Sequence, residues 1–228
     1  MKKIILVGSS SAMAAALSQR LRAEGDYVVG ISRQEDKGNC DEWHTVSSYQ
    51  EADLPTFSGS IDGLVYFPGS IVLKPFARYT DQELINDFEL NALGAVRAIR
   101  KYIGGLKQSV GSGIVLMSTV AVQTGLPFHM SISMAKGALE GLVRSLSAEL
   151  APTVRVNGVA PALTATGLSE RLINTEEKRI QSAKRYPLQT IGEPQQQADA
   201  IRFLLKEATW TTGHLLPVDG GMSTLQSV

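Results

Sequence analysis

"VGSSSAMAAAL" (7–17) closes a short apolar run and opens a helical pattern. A glycine, a small polar loop and a helix start, in that order, form the layout of a dinucleotide-phosphate turn. N–H groups at the head of the helix face the pyrophosphate, and the helix dipole favours its charge. Gly8 is the one glycine here. Ala12 and Ala14 stand where a G-x3-G-x-G turn has its other two. Each adds a single methyl near the phosphate path or the helix–strand contact. Gly8, Ser10, Ser11, Ala12 and Met13 are the candidates to hold a phosphate. A serine-rich turn that only caps a helix uses the same residues, so the reading depends on what surrounds it.

Working outward, apolar runs recur at 3–8, 27–32, 61–67, 113–118, 154–160 and 214–220, with a weaker one at 42–46. Helix-like segments lie between them near 12–24, 81–107, 131–150 and 194–207. Strand, helix, strand, repeated, predicts a doubly wound parallel sheet with helices on both faces. The near-continuous apolar strands agree, because such strands are buried on both sides. One domain over 1–228 is expected, with an irregular, lid-like substrate segment at about 162–193. Leu168, Leu172 and Ile173 fit one face of a short helix there, over a partly apolar substrate, although ordinary packing onto the domain explains them equally. In such sheets ligands bind beyond the carboxyl ends of the strands.

Composition narrows the function. Lys+Arg and Asp+Glu each total 22, so the net charge is zero. That speaks against a nucleic-acid partner, which usually meets a basic excess. One cysteine, Cys40, excludes an intrachain disulfide and fits a reducing cytosol. "MKKIILVG" imitates the start of a signal peptide, but its apolar run is too short. No stretch approaches 18 apolar residues, so no membrane partner is expected. The expected location is cytoplasmic.

The second strand ends in Ser32 and Arg33. A carboxylate at this place would bond the ribose hydroxyls of NAD; an arginine accommodates the 2′-phosphate of NADP. A planar guanidinium suits a phosphate through paired, charge-assisted hydrogen bonds. The cofactor expected is NADP(H) in preference to NAD(H), with Ser10 and Ser11 adding hydroxyls. A solvated loop arginine is the alternative.

Several later segments carry a family resemblance. "RVNGVAPALTAT" (155–166) is similar to R-V-N-x-V-x-P-G-x3-T, with Ala162 in place of glycine. "FELNALGAV" (88–96) resembles a central-helix N-x-x-G segment. "GIVLMSTVA" (113–121) resembles the strand and turn that supply a catalytic serine. "SISMAKGALEGLVRSLSAEL" (131–150) resembles a Y-x3-K helix, and 186–221 resembles a carboxyl-terminal signature. Together, in this order and over almost the whole chain, they resemble the short-chain dehydrogenase/reductase family. The resemblance implies hydride transfer between a nicotinamide and a carbonyl or alcohol carbon. In the family a tyrosine moves the proton, a lysine lowers its pKa and holds the ribose, a serine polarises the carbonyl, and an asparagine helps hold a water chain.

Carried onto this chain, the asparagine is Asn91, the serine position is Thr119 with Ser118 adjacent, and the lysine is Lys136. The cofactor set extends to Gly69, Pro161, Ala162 and Thr166. The tyrosine position holds Ile132, which shares a helix face with Lys136 at i,i+4 and has no proton to give. N-N-A-G is replaced by "YFPG" (66–69), placing Tyr66 and Phe67 where backbone would pass the adenosine. A positioned general acid contributes about 10²–10⁴-fold. His129, seven residues before Lys136, is a weak substitute donor, since some relatives that reduce enoyl thioesters carry their tyrosine at that spacing. Tyr186, in the lid, could swing in. Ser131 and Ser133 are expected to point elsewhere. Lys136 could instead snorkel to water.

Two functions stand at this point. One is an atypical NADP(H)-linked oxidoreductase acting on a carbonyl or conjugated double bond. The other is a non-catalytic dinucleotide-binding or interaction subunit. A homodimer or homotetramer is expected, with Ala138, Gly141 and Ala148 permitting close packing between subunits or, alternatively, within one.

Overall fold

Seven of the apolar runs form seven parallel strands in a computed structural model that describes residues 1–35 and 38–225. In chain order the elements are β1 (Lys3–Val7), α1 (Ala12–Ala23), β2 (Tyr27–Ser32), β3 (Glu42–Thr45) and β4 (Gly63–Tyr66). Then come α2 (Asp81–Phe88), a π-helical turn at Glu89–Leu93, α3 (Gly94–Leu106), β5 (Ser112–Met117) and the short α4 (Ala121–Thr124). The chain continues through α5 (Met130–Leu150), β6 (Val154–Pro161), α6 (Glu170–Ile173), α7 (Glu176–Ala183), α8 (Pro194–Lys206) and β7 (Leu215–Val218).

The strand order is β3-β2-β1-β4-β5-β6-β7, and every pairing is parallel. Parallel neighbours need crossovers, so helices cover both faces and the sheet is buried twice. One core layer joins Ile5, Ile31, Leu64, Ile114 and Val156 to α3 and α5. The other joins Leu6, Val28, Val65 and Val115 to α1 and α8. This is the Rossmann-like, three-layer architecture that the alternating pattern predicts.

The strand order reverses between β1 and β4, and there the loops after both strands meet. Gly8 has φ +80°, and a Cβ on it would lie 2.8 Å from Pro68 Cδ. Glycine is therefore required twice over at this point, by its backbone conformation and by the close approach of the β4 loop.

Two segments differ from the expectation. The helix expected over 81–107 is divided by the π turn. Tyr66 Oη donates to Leu90 O at 2.7 Å, drawing on a carbonyl within the turn. Gly94 follows because a Cβ there would come within 2.0 Å of the same hydroxyl. Such turns are frequent at functional sites, and this one carries Asn91. The segment 162–193, expected to be irregular, contains α6 and α7. Leu168 and Leu172 are exposed while Ile173 is buried against Tyr186 and Ile191, so the three do not form one packed face.

Candidate active site

At the head of α1, Ser11 is the N-cap, and its hydroxyl accepts the Ala14 N–H at 3.2 Å. Gly8 N–H and Ser9 N–H are taken by Ile31 O. Among the described residues no acceptor bonds the N–H of Ala12 or Met13. No acidic residue sits in the first turn to neutralise the dipole. Ala14 is fully buried, so the core has absorbed its methyl, whereas Ala12 is exposed. Ala12 shares a cleft with Thr166 and Glu170, which brings the phosphate turn and the lid segment together.

At the end of β2, Ser32 Oγ–H donates to Ser10 Oγ at 2.9 Å. Arg33 is exposed, its guanidinium 5.2 Å from the centre of the Tyr49 ring. Tyr66 does not obstruct this end. It lies fully in the core, where burial pushes its hydroxyl pKa up, and Phe67 packs partly against the α1/α8 layer. The expectation that these two rings sit in the adenosine path is corrected: the strand's alternation turns them onto opposite core faces.

Gly69, Asn91 and Lys136 converge. A Cβ at Gly69 would lie 3.1 Å from Asn91 Oδ1 and 3.6 Å from Lys136 Nζ. Asn91 Nδ2 donates to Asp87 O at 2.8 Å and to Ser70 Oγ at 2.9 Å. Asn91 Oδ1 is buried with no partner. Lys136 is 5% exposed, so it does not snorkel. Burial lowers its pKa to about 7, with the Asp87 carboxylate opposing that shift. An unpaired buried amide oxygen and a desolvated amine are costly in a stable core. Their presence beside Gly69, where a side chain would crowd both groups, fits a ligand that would supply the missing partners.

Ser118 is withdrawn, donating to the buried Glu140 Oε1 at 2.7 Å. Thr119 remains half-buried at the end of β5, its hydroxyl accepting the Ala121 N–H at 3.3 Å. No contact joins it directly to Lys136. Instead α4 and α5 hold the two in register, with Ser133 Oγ–H donating to Ala121 O at 3.1 Å. Ile132 is 5% exposed, one turn before Lys136. His129 caps α5 by position, and its Nδ1–H donates to Pro127 O at 2.7 Å. Tyr186 is buried among Ile173, Ile191 and Met222, so the expectation that it could swing in is corrected. Ser131 is also corrected: its hydroxyl donates to Asp87 Oδ2, inside the cluster.

Pro161 ends β6, and its carbonyl accepts the Val120 N–H. Ala162 packs at the edge of the small lid core. Sequence reasoning missed Asp87 and Ser70 and set Ser131 aside. A carboxylate four residues before Asn91, on one helical face, was the available signal.

A family model described as Enoyl-(Acyl carrier protein) reductase matches residues 7–223. The chain therefore belongs to this family of short-chain dehydrogenases/reductases. It is 28% identical over 237 residues to L-xylulose reductase of Bos taurus, covering 96% of each chain. It is 31% identical over 169 residues to a tropinone reductase homolog of Arabidopsis thaliana, covering 73% of this chain and 64% of that one. The matched stretch thus spans less than two thirds of that plant relative's length. The ligand-free aldohexose dehydrogenase of Thermoplasma acidophilum superimposes with a TM-score of 0.91 at 26% identity, over 100% of this chain and 96% of that chain. Oxidoreductase relationship and a nicotinamide dinucleotide site follow from membership.

Proposed function

We propose that the chain is an NADP(H)-dependent oxidoreductase of a small, partly apolar substrate, working without the tyrosine of its family. The observation that carries this reading is the buried Lys136 amine beside the unpartnered Asn91 Oδ1. The first-turn residues Gly8, Ser10, Ser11, Ala12 and Met13 would hold the pyrophosphate. Ser32 and Arg33 would hold the adenosine ribose and its 2′-phosphate; the exposed guanidinium and the lack of a carboxylate at this strand end favour NADP(H). Gly69, Asn91, Lys136 and the Pro161, Ala162 and Thr166 segment would hold the nicotinamide half. That group, when bound, supplies or accepts the hydride.

Ile132 cannot complete the reaction with a proton. Lys136 can, because an amine with a pKa of about 7 is a workable acid near neutrality. Thr119 offers a hydroxyl to the substrate oxygen. A carbonyl or a conjugated double bond suits these groups, and the exposed Phe76, Phe128, Leu168 and Leu172 suit an apolar portion. Lys74 N–H and Tyr79 Oη–H both donate to Phe128 O, at 3.3 and 3.1 Å, fastening the loops that carry those two phenylalanines.

The assembly proposed is a homodimer or homotetramer. Ala138, Gly141 and Ala148 are exposed on α5 in the single chain, beside the 60% exposed Met134. They do not serve packing within the subunit.

Calorimetry with NADPH and NADH, on wild type and on Ile132→Tyr, tests the reading. The expected result is NADPH binding at least about tenfold tighter than NADH, a preference lost in Arg33→Ala. Ile132→Tyr is expected to gain ketone reduction. Absence of binding to either nucleotide would replace this reading with a non-catalytic subunit.

A further inference from the structure

The cluster around Lys136 contains a charged group outside the reaction so far described. Asp87, near the end of α2, is 4% exposed. Ser70 Oγ–H donates to its Oδ1 at 2.6 Å, and Ser131 Oγ–H donates to its Oδ2. Its backbone carbonyl takes Asn91 Nδ2, and the same amide bonds Ser70 Oγ. The β4 loop and α5 therefore fasten the carboxylate, and the π turn fastens the backbone that carries it. A buried carboxylate requires hydrogen bonds and opposite charge. The hydroxyls provide the first requirement and Lys136 the second. Asp87 and Lys136 are not in ion-pair contact; the carboxylate acts on the ammonium across the cluster, and it is the influence that opposes desolvation.

Several other ionisable groups on the packed elements are engaged elsewhere, while Asp81 on α2 and Glu149 on α5 are exposed. Glu83 on α2 pairs with Lys74, and Glu89 on the π turn pairs with Arg97 at 2.6 Å. Glu140 on α5 takes Ser118 and lies 3.9 Å from Arg144. His129 is bonded to Pro127 O. Arg155 on β6 faces the carbonyls of α8. Ile132 and Lys136 are both 5% exposed, and a low local dielectric lengthens the reach of the Asp87 charge.

We propose that Asp87 is a positioning residue of this site, held by Ser70, Ser131 and Asn91 so that its charge keeps on Lys136 the proton that is delivered to the substrate. The inference rests on the reading of Lys136 as proton source. In that transfer the Lys136 Nζ–H bond breaks. An O–H bond forms on a reduced carbonyl, or a C–H bond on a reduced double bond, completing the hydride supplied by nicotinamide. Lys136 is left as a neutral amine and regains its proton from water. Asp87 exchanges no proton.

The test is an NMR pH titration of Lys136 in the cofactor-free protein labelled at lysine, in wild type, Asp87→Asn and Ser131→Ala. Asp87→Asn is expected to lower the Lys136 midpoint by about one pH unit, a tenfold loss of proton affinity. Ser131→Ala keeps the charge and is expected to leave the midpoint unchanged or higher. An unmoved midpoint in a folded Asp87→Asn protein would overturn the proposal. Should that variant not fold, the Ser70→Ala/Ser131→Ala pair decides: stripped of its hydroxyls, the carboxylate acts more strongly and the midpoint is expected to rise, and a fall or no change overturns the proposal. The titration needs no turnover. A shifted midpoint in a protein that reduces nothing therefore retires the oxidoreductase reading and leaves Asp87 assigned. An unshifted one in an active enzyme does the reverse.

Discussion

Arg155 and Lys136 are both buried cations, and they are treated in opposite ways. Arg155 donates to Leu204 O and Leu205 O at 2.7 and 2.8 Å, to Ala208 O at 3.1 Å and to Gly111 O at 3.5 Å. Burial lowers its pKa, yet every bond it makes is to a backbone carbonyl, three of them at the negative end of α8 or just past it. Lys136 has the charge of Asp87 to oppose its burial, and no hydrogen bond to its amine is found among the described residues. The same contrast divides two asparagines. Asn157 uses both amide atoms, donating to Thr211 O at 2.9 Å and accepting His214 N–H at 3.1 Å. Asn91 leaves Oδ1 unmatched. Along β6, Arg155 and Asn157 are satisfied and hold the fold, although Gln197, which donates to Val218 O on β7, leaves its own Oε1 buried without a partner. The α2–α5 cluster retains unmet polar groups, which is what a binding site does with stability.

The contrast is sharpest in Arg155→Met. It should remove the buried donors of several α8 carbonyls and cost about 3–5 kcal/mol, read by urea unfolding. Equal stability to wild type would dissolve the distinction. Lys136→Met should do the reverse and stabilise the protein, by on the order of 2–4 kcal/mol at neutral pH. The folded pKa of about 7 lies below the unfolded 10.5. The penalty of burying the amine is thus complete below about pH 7 and vanishes as pH rises toward 10.5. Unfolding curves across that range should show the advantage of Lys136→Met fading with increasing pH. The smallest effect compares the asparagines: Asn157→Ala is expected to lower stability by about 2 kcal/mol and Asn91→Ala by about 1. Cofactor affinity, measured alongside, should fall only in the second.

The sequence patterns "RVNGVAPALTAT" and 186–221 were the most recognisable part of the chain, and they proved largely structural. Arg155, Asn157 and Thr212 tie β6 to the α8–β7 connection. The end proposed as catalytic was legible in Asn91, Thr119 and Lys136 but not in its departures. Tyr66 looked obstructive as a letter in the string, whereas its hydroxyl is spent on Leu90 O beneath the site. Ser118 and Thr119 were adjacent candidates until Glu140, 22 residues on, claimed the first.

The order of strands and helices, the glycine turn at Gly8 and the face shared by Ile132 and Lys136 were determined by the sequence alone. Local periodicity and backbone sterics encode these, and both act over a few residues. That Ser70, Asp87, Asn91, Ser131 and Lys136 share one cluster was decided only by tertiary structure. They come from four separate elements, and no local pattern records which polar groups will be enclosed together when those elements pack.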